Sequence, residues 1–258
     1  MAILFYKYQG TGNDFIMIDN RQSLFPKNNA KLVASLCDRK FGIGADGLIL
    51  LENDDLSSFK MVYFNADGNE GSMCGNGGRC TVAFAKYLGI VRDKASFTAV
   101  DGLHAALIGK KGIRLQMQAV SEIRIKPNVV FMDTGSPHHV QLVNNLADLD
   151  VFGEGEKLRY GLYGKAGSNI NFVEQVEEAI FSVRTYERGV ENETLSCGTG
   201  VTAVALAMHK IGKTKANTVT VHTQGGTLQV EFEQDGDGYI NIHLIGPAKQ
   251  VFKGEISC

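Results

Sequence analysis

Two segments of the chain are apolar at almost every position of a helical turn. They are GRCTVAFAKYLG (78–89) and GVTAVALAMHKIG (200–212), and each ends at a glycine. A helix without a polar face has to be buried on all sides, and glycine favours the left-handed conformation that closes a helix. The pattern therefore predicts two buried helices that end at Gly89 and Gly212.

The same order of strands surrounds both helices, so the chain contains an internal repeat. Strand-like runs precede the helices at KMVYFN (60–65) and AIFSVRTYE (179–187). The runs that follow are SFTAVDGLHAALI (96–108) with IRLQM (113–117), and TVTVHTQGGTLQVEF (218–232) with YINIHL (239–244). When Cys74 is aligned with Cys197, the glycine that ends the helix lies 15 residues further on in both copies. Such matching spacings predict two related halves.

The repeat predicts the fold class and the domain organisation. We expect an α+β protein of two pseudo-symmetric domains, each a curved, mainly antiparallel sheet wrapped around a central buried helix. The N-terminal half, 1–118, carries Cys74, and the C-terminal half, 119–247, carries Cys197. The C-terminal tail, 248–258, is expected to pack back on the first half.

Two shorter segments complete the outline of the fold. The polar stretch AVSEIRIKPN (119–128) contains a proline and is expected to form the break between the halves. Upstream, NNAKLVASLCDR (28–39) predicts an amphipathic helix with Asn28 or Asn29 as its N-cap and Cys37 as a core residue.

One glycine-rich motif is discounted as a cofactor site. GIGADG (42–47) matches the glycine pattern of dinucleotide-binding loops, but it follows a predicted helix and leads into a predicted strand. The fingerprint requires a strand before it and a helix after it. The chain also lacks a G-x4-G-K-[ST] phosphate loop and a recognisable lysine context for pyridoxal phosphate. The sequence predicts an enzyme without a cofactor or a metal.

Composition and charge exclude several classes of protein. The chain has 258 residues, 44% of them hydrophobic, and a net charge of −2, so no basic surface for nucleic acid or an anionic membrane is expected. No apolar run approaches the ~18 residues of a membrane span, and we see no signal peptide. Five scattered cysteines, an odd number, suit a reducing compartment. We expect a cytoplasmic enzyme.

The two cysteines immediately before the buried helices are the strongest candidates for chemistry. The first turn of a helix carries unpaired N–H groups and a partial positive charge, which bind a carboxylate and lower the pKa of a thiol from ~8.5 to somewhere between ~3.5 and ~7.5. Two such thiols in matching halves suggest that one removes an α-proton and the other returns a proton to the opposite face. This is the chemistry of a two-base racemase or epimerase.

Other roles for these thiols are weighed against that one. A single C-G-x-G motif is weak evidence, and cysteines are often only buried, but two copies in register are hard to explain as core residues. Cys80 lies six residues after Cys74, too far for a zinc pair, and is expected to point into the core. Facing thiols can also form a redox disulfide.

Five motifs together make the chain similar to the diaminopimelate epimerase family. They are GTGNDF, FNADGNEGSMCGNGGRC, GSPHHV, NINFVE and YERGVENETLSCGTG. The resemblance covers the chain from about residue 5 to the tail. It implies interconversion of LL- and meso-diaminopimelate, in lysine and peptidoglycan precursor biosynthesis, without metal or pyridoxal phosphate. Dimers are known in that family, so a homodimer is an open expectation.

The resemblance also implies roles for individual residues. Cys74 and Cys197 are the two bases. Gly75, Asn76, Gly198 and Thr199 match positions that hold the reacting carboxylate through helix amides. Asn13, Asn65, Asn169 and Arg188 match positions that hold the substrate, notably its distal end. Glu187 matches a carboxylate near the reacting amine and the second thiol, and His138 matches a histidine close to the site.

The chain departs from the common family pattern at four places. Asn69, Gly78 and Ser136 replace other residues, and the loop at 188–195 is one residue longer. These departures bear on the distal end of the substrate site. Proline racemases and hydroxyproline epimerases use the same paired cysteines on a smaller substrate, and a binding or redox-sensing protein without proton exchange is the alternative outside enzymes.

Overall fold

The structure, a computed structural model, describes residues 2–71 and 73–257, and within them the chain forms two compact units. Unit 1 consists of the described residues up to Leu115 together with those from Gly246 onward, and unit 2 is Gln116–Ile245. Cys258, one of the five cysteines counted above, lies outside the described residues.

The elements of both units follow in chain order. The first part contains β1 (Ala2–Gly10), β2 (Asn13–Asp19), α1 (Ala30–Cys37), β3 (Gly47–Glu52), β4 (Phe59–Asn65), α2 (Gly75–Tyr87), β5 (Lys94–Ala99), β6 (Gly102–Gly109) and β7 (Gly112–Gln116). Next come β8 (Ile123–Lys126), β9 (Val129–Asp133), β10 (Pro137–Leu142), a 3-10 turn (Leu146–Asp148), α3 (Val151–Tyr163), β11 (Asn169–Glu177), β12 (Ile180–Glu187), β13 (Asn192–Thr194), α4 (Gly198–Lys210), β14 (Thr218–Thr223), β15 (Gly226–Asp235) and β16 (Gly238–Gly246). The last strand is β17 (Lys249–Ser257).

Unit 1 is a mixed sheet around α2. Its strands lie in the order β17-β1-β2-β3-β4-β5-β6-β7, and only the β2–β3 and β4–β5 pairs are parallel. Helix α2 packs against β1, β2, β3, β4 and β17. The tail of the chain, as β17, therefore supplies the first strand of the sheet by pairing with β1.

Unit 2 repeats this arrangement strand for strand. Its order is β8-β9-β10-β11-β12-β14-β15-β16, the parallel pairs are β10–β11 and β12–β14, and the short β13 is an addition on β12. Helix α4 packs against six of these strands. Both units thus have the predicted α+β architecture of a mainly antiparallel sheet around a central helix.

The central helices are buried as their composition predicted. Ten residues of α2 and ten of α4 are buried, so most of each helix is shielded from solvent. Both helices end before a glycine with positive φ, Gly89 at +74° and Gly212 at +73°. The sheet of unit 1 is apolar on its other face as well, where Ile16, Ile18 and Leu48 contact α1 through Val33 and Leu36.

The N-terminal helix has the predicted cap. Asn29 precedes α1, and its side-chain oxygen accepts the N–H of Leu32 at 3.1 Å. Cys37 is 3% exposed within the core of unit 1, and burial raises the pKa of its thiol to about 11. It is a core residue, as predicted.

Two elements differ from the sequence-based outline. Helix α3 was not predicted; its only buried residues are Val151, Gly155 and Arg159, so its apolar stripe is too narrow for periodicity to reveal it. The stretch 119–128, expected to be a break, contains strand β8, because a short edge strand needs only backbone pairing with β9.

We expect one substitution, glycine to alanine, to have opposite effects at two positions of unit 2. Gly212 has a φ of +73° and no neighbouring atom within 4 Å of an added Cβ, so Gly212→Ala should destabilise by about 1 kcal/mol through backbone strain alone. Gly161 lies exposed in α3 with equally open space but without positive φ, so Gly161→Ala should stabilise by about 1 kcal/mol. Thermal unfolding midpoints of the two variants would check this, and shifts of the same sign would contradict it.

Candidate active site

Each central helix begins at a cysteine in the same backbone conformation. Cys74 is the N-cap of α2, with φ −111° and ψ 122°, and Cys197 is the N-cap of α4, with φ −108° and ψ 112°. Neither side chain makes the usual capping hydrogen bond. The sulfur atoms are therefore next to first-turn N–H groups that lack partners within the helix.

A glycine in each first turn lets the helix lie directly on the fourth strand of its sheet, β3 in unit 1 and β11 in unit 2. An added Cβ at Gly77 would meet Ile49 Cδ1 at 3.1 Å, and one at Gly200 would meet Asn171 Oδ1 at 2.5 Å. The predicted carboxylate-binding positions Gly75 and Gly198 are buried at these same starts. The backbone of both turns is thus held rigidly by packing.

In unit 1, the amide of Asn13 lies next to the Cys74 sulfur and is itself in contact with the amide of Asn76. Asn13, the first residue of β2, has its Oδ1 3.5 Å from Cys74 Sγ and 3.5 Å from Asn76 Nδ2. The Nδ2 of Asn13 donates to Asp46 Oδ2 at 2.7 Å. A carboxylate only accepts, so this bond directs the oxygen of Asn13 towards the sulfur, where it accepts from the thiol form.

An ion-pair network holds Asp46 in turn. Asp46 pairs with Arg39 at 2.7 Å, Arg39 pairs with Asp14 at 2.6 Å, and Asp14 pairs with the buried Lys7 at 2.7 Å. Asp46 belongs to the GIGADG motif, which was discounted as a nucleotide site. The structure indicates that its acidic residue orients Asn13 instead.

Asn65 and Asn69 are exposed at the end of β4, whereas the unusual Gly78 is buried in α2. Asn65 is exposed at the end of β4, opposite Gly47 of β3, and its N–H donates to the carbonyl of Asn69 at 2.9 Å. Asn69 itself bonds to Asp67 through its backbone and its side chain. A Cβ at Gly78 would meet Met73 Cε at 2.9 Å, so this small residue makes room for Met73.

In unit 2, a chain of hydrogen bonds leads to the Cys197 sulfur. Asn171 Nδ2 is 3.1 Å from His138 Nδ1, His138 Nε2 is 2.9 Å from Thr199 Oγ1, and Thr199 Oγ1 is 3.5 Å from Cys197 Sγ. Asn171 Nδ2 also donates to the carbonyl of His139 at 2.9 Å, and Asn171 Oδ1 accepts from Thr185, which orients its amide.

The direction of hydrogen-bond donation along this chain follows from the amide of Asn171. Because Asn171 donates to Nδ1, the neutral His138 ring carries its proton on Nε2 and donates it to Thr199. The hydroxyl of Thr199 accepts this hydrogen bond and donates its own hydrogen to Cys197 Sγ. Burial, together with the charge of Arg188, lowers the pKa of His138 to about 3 despite the bond from Asn171. His138 is therefore a neutral donor rather than a cation.

Asn169 and Arg188 belong to one interaction set. The Oδ1 of Asn169 accepts the backbone N–H of Arg188 at 2.9 Å, and its Nδ2 donates to Ser136 Oγ at 2.8 Å and to the carbonyl of Pro137 at 3.0 Å. Both N–H groups of this amide are thus engaged within the protein. Arg188 itself is exposed, and its guanidinium donates to the carbonyl of Ala166 at 3.0 Å.

The longer loop after β12 is tied to α3. Glu191 adopts a left-handed conformation (φ 54°), and its carboxylate accepts from Arg159 at 3.0 Å and from the N–H of Gly189 at 3.2 Å. At the base of the loop, Glu187 Oε2 accepts from the hydroxyl of Thr194 at 2.8 Å. Glu187 and Arg188 are therefore both held in fixed backbone positions.

The structure also adds residues that sequence reasoning missed. Asp46, Arg79, Asn171 and Arg159 contact predicted site residues or the loop that carries them. Asn171 could have been predicted as a site residue, because it is a polar residue that directly follows the apolar Ile170 in a buried strand. The other three gave no periodic signal.

Two absences in residues 2–71 and 73–257 bear on other functions. No group of three or more histidine, cysteine or acidic residues is arranged to hold a metal ion in this part of the chain. Within the same residues, no helix combines the length and the apolar composition needed to cross a membrane.

Comparisons with known proteins relate this chain to one family. The family profile described as "Diaminopimelate epimerase" matches residues 5–114 and 130–251. A diaminopimelate epimerase of Flavobacterium psychrophilum is 61% identical over 97% of this chain and 99% of its own length. One from Chlorobaculum tepidum is 45% identical over 96% and 99%.

Solved structures share the fold at low identity. A phenazine biosynthesis protein of the PhzF family from Bacillus anthracis has a TM-score of 0.80 at 15% identity and full coverage of both chains. A probable proline racemase from Agrobacterium radiobacter, solved with bound carbonate, has a TM-score of 0.72 at 14% identity over 99% of this chain and 93% of its own. These likenesses concern the fold alone.

The buried neutral His138 should make stability depend on pH. Its pKa of about 3 in the folded state lies below that of the unfolded chain, so only the unfolded state takes up a proton as the pH falls from ~6.5, and stability is lost over this window. The loss from this residue at pH 5 is about 2 kcal/mol. His138→Gln should flatten the dependence, measured by urea unfolding from pH 8 to pH 5. His222→Gln, which removes an exposed imidazole, is the control. An unchanged slope in His138→Gln would contradict the assignment.

Proposed function

This chain belongs to the diaminopimelate epimerase family and is an epimerase, and we propose that it interconverts LL- and meso-diaminopimelate by a two-base mechanism that uses Cys74 and Cys197. The observation that carries the proposal is the matched placement of the two cysteines. Each is the N-cap of a buried helix, in the same conformation, without a capping bond of its own.

The reaction needs one base and one acid on opposite faces of the substrate α-carbon. The thiolate of one cysteine takes the α-proton, so a C–H bond breaks and an S–H bond forms. The thiol of the other cysteine gives its proton to the carbanion, so an S–H bond breaks and a C–H bond forms with inverted configuration. The thiol and the thiolate have then exchanged places, and proton exchange with solvent restores the starting state.

The reacting carboxylate is bound by the helix starts. The N–H groups of Gly75, Asn76, Gly198 and Thr199 stabilise the enolate-like oxygens that develop as the α-proton leaves. Gly75, Asn76 and Gly198 are buried and Thr199 is half-buried. Their place in the packed first turns supports this role, because preorganised donors need no reorganisation at the moment of reaction. No cofactor takes part in this scheme.

The donor chain of unit 2 stabilises the Cys197 thiolate. His138 donates to Thr199, whose hydroxyl donates to the sulfur, so a neutral chain supports a negative charge at its end. His138 is therefore a supporting residue that acts through Thr199. Glu187 is oriented by Thr194 and accepts from an ammonium group of the substrate.

The distal end of the substrate is recognised by charge and amide groups. Arg188 forms a bidentate pair with the distal carboxylate, and Asn13 and Asn65 supply amide contacts. Asn169 contributes chiefly by positioning, because its two N–H groups already hold Ser136 and Pro137 while its oxygen holds the backbone of Arg188.

We propose that the two halves of the chain contribute one base each. The half 1–118, with the tail 248–258, contributes one base, and the half 119–247 contributes the other. A reducing compartment, the cytoplasm, keeps both thiols in the reactive form. The net charge of −2 supports a small-molecule substrate rather than nucleic acid or a membrane. A homodimer stays a prediction of the family resemblance.

The isotope pattern in D2O should reveal two bases. Incubation of reduced protein with LL-diaminopimelate should give meso product that carries deuterium at the inverted α-carbon, while recovered substrate initially retains hydrogen. Mass spectrometry and chiral chromatography at early times would check this. Cys74→Ala and Cys197→Ala should each abolish epimerisation. Substantial turnover by either variant would contradict the scheme, and exchange on proline in a parallel reaction would instead favour a racemase of smaller substrates.

Arg188 should determine recognition of the distal end. Arg188→Met should lower kcat/KM for diaminopimelate by about ten- to a hundredfold, mainly through KM, because a charged hydrogen bond contributes about 1.5–3 kcal/mol. Arg188→Lys should lower kcat/KM less than Arg188→Met does but should not retain the wild-type value, since lysine cannot form the bidentate pair. The control is Lys165→Met, which removes an exposed cation from a neighbouring loop. Equal losses in Arg188→Met and Lys165→Met would exclude a specific role.

A further inference from the structure

Arg79 is a fully buried cation without a carboxylate partner in the described part of the chain. It lies in α2, five residues after Cys74, and is 0% exposed. Its Nη2 donates to Asn76 Oδ1 at 2.8 Å and to Thr11 Oγ1 at 3.4 Å, and its Nη1 donates to the carbonyl of Gly75 at 3.4 Å. Among residues 2–71 and 73–257, its Nε has no hydrogen-bond acceptor.

The guanidinium is directed towards the start of the helix. Helical side chains lean towards the N-terminus, and the contacts of Arg79 with Gly75 and Asn76 place its charge over the first turn. Burying a cation is strongly unfavourable unless a negative charge or a full set of acceptors compensates for it. Within residues 2–71 and 73–257, the acceptors of its hydrogen bonds are all neutral oxygens, so no negative charge there pairs with this cation, which interacts electrostatically with Cys74.

Other charges near α2 compensate one another. Lys7 and Arg39 pair with Asp14 and Asp46, so that network sums to zero. The remaining titratable groups on the elements packed against α2 are Tyr6 and Tyr8 on β1, Asp19 on β2, Glu52 on β3, Lys60 and Tyr63 on β4, and Lys249, Lys253 and Glu255 on β17; α2 itself carries Cys80, Lys86 and Tyr87. None of them forms an ion pair with Arg79 within the described residues.

The repeat shows that unit 2 lacks this cation. The position five residues after Cys197 is Thr202, whose hydroxyl donates to the carbonyl of Gly198 at 3.0 Å, as Arg79 donates to Gly75. Conversely, unit 1 lacks the donor chain of unit 2. The sheet registers Phe15↔Gly47 and His138↔Asn169 make Phe15 the counterpart of His138 and Ile49 the counterpart of Asn171.

We propose that Arg79 is a positioning residue that supplies the positive charge for the Cys74 thiolate, and so takes in unit 1 the place of the Asn171–His138–Thr199 chain. This inference rests on the proposed role of Cys74 as a base. Asn13 Oδ1 favours the thiol form of Cys74, and the fixed charge of Arg79 favours the thiolate. Together they keep both forms accessible, as a residue that acts in turn as acid and base requires.

Cys80 is the other sulfur close to Arg79, but it does not meet the same need. It is 0% exposed, and burial raises the pKa of its thiol to about 12, so it remains protonated. Arg79 itself stays charged near neutral pH, because burial lowers its pKa only to about 10. Cys74, half-buried at the helix start, is therefore the group whose ionisation Arg79 stabilises.

Alkylation of the thiols tests this inference without substrate. Iodoacetamide modification of Cys74 and Cys197 would be followed by peptide mass spectrometry from pH 5 to pH 10, in the full-length protein and its variants. Arg79→Gln removes the charge but retains an amide donor for Asn76, Arg79→Met removes both, and Arg79→Lys retains the charge. Thr202→Val is the matched control in the other helix, and circular dichroism checks folding.

In the neutral variants, the pH midpoint for Cys74 should rise by about one unit, which corresponds to about tenfold slower alkylation at neutral pH. The Lys variant should stay close to the wild type, and the Cys197 midpoint should not move in any of them. An unchanged Cys74 midpoint in Arg79→Gln would overturn the proposal, and so would an equal rise at both cysteines, which indicates a loosened fold. Absence of epimerisation by the wild-type protein would refute the proposed function without altering this readout.

Discussion

One constraint underlies the other features of the structure: in each half, a helix that is packed on every side begins at a cysteine. Burial holds the first turns of α2 and α4 against their sheets. A Cβ at Gly200 would clash with Asn171 Oδ1 at 2.5 Å, and one at Gly77 would be a tight contact with Ile49 Cδ1 at 3.1 Å. The first-turn N–H groups cannot be satisfied within the helix. They form a set of donors next to each sulfur, which is where the proposed mechanism requires a carboxylate and a developing negative charge to be stabilised.

The two halves have the same backbone arrangement but different side chains around their sulfur atoms. Unit 2 places a neutral chain behind Thr199, and its histidine is kept uncharged by burial. Unit 1 has apolar residues at the equivalent strand positions and a buried guanidinium in the helix. Two halves with the same backbone can differ in this way, because the proposed mechanism binds the carboxylate through backbone amides and leaves the side chains to adjust each thiol separately.

Much of this organisation could be predicted from periodicity and spacing. The apolar composition of α2 and α4 predicted their burial, and the equal distances from Cys74 and Cys197 to Gly89 and Gly212 revealed the repeat. Helix α3 was missed because only a narrow stripe of it is buried. Strand β8 was missed because its stability comes from backbone pairing with β9, which leaves little trace in composition.

The sequence by itself determined the two cysteine motifs, the buried helices and the α+β class, because local composition and chain spacing carry that information. Only the tertiary structure decided how the side chains around each sulfur are directed. Asp46 orients Asn13 from 33 residues away, and Asn171 orients His138 from an equal distance along the chain. Contacts between strands that are distant in sequence establish these directions, and a polar residue in a strand does not reveal its partner until the strands are paired.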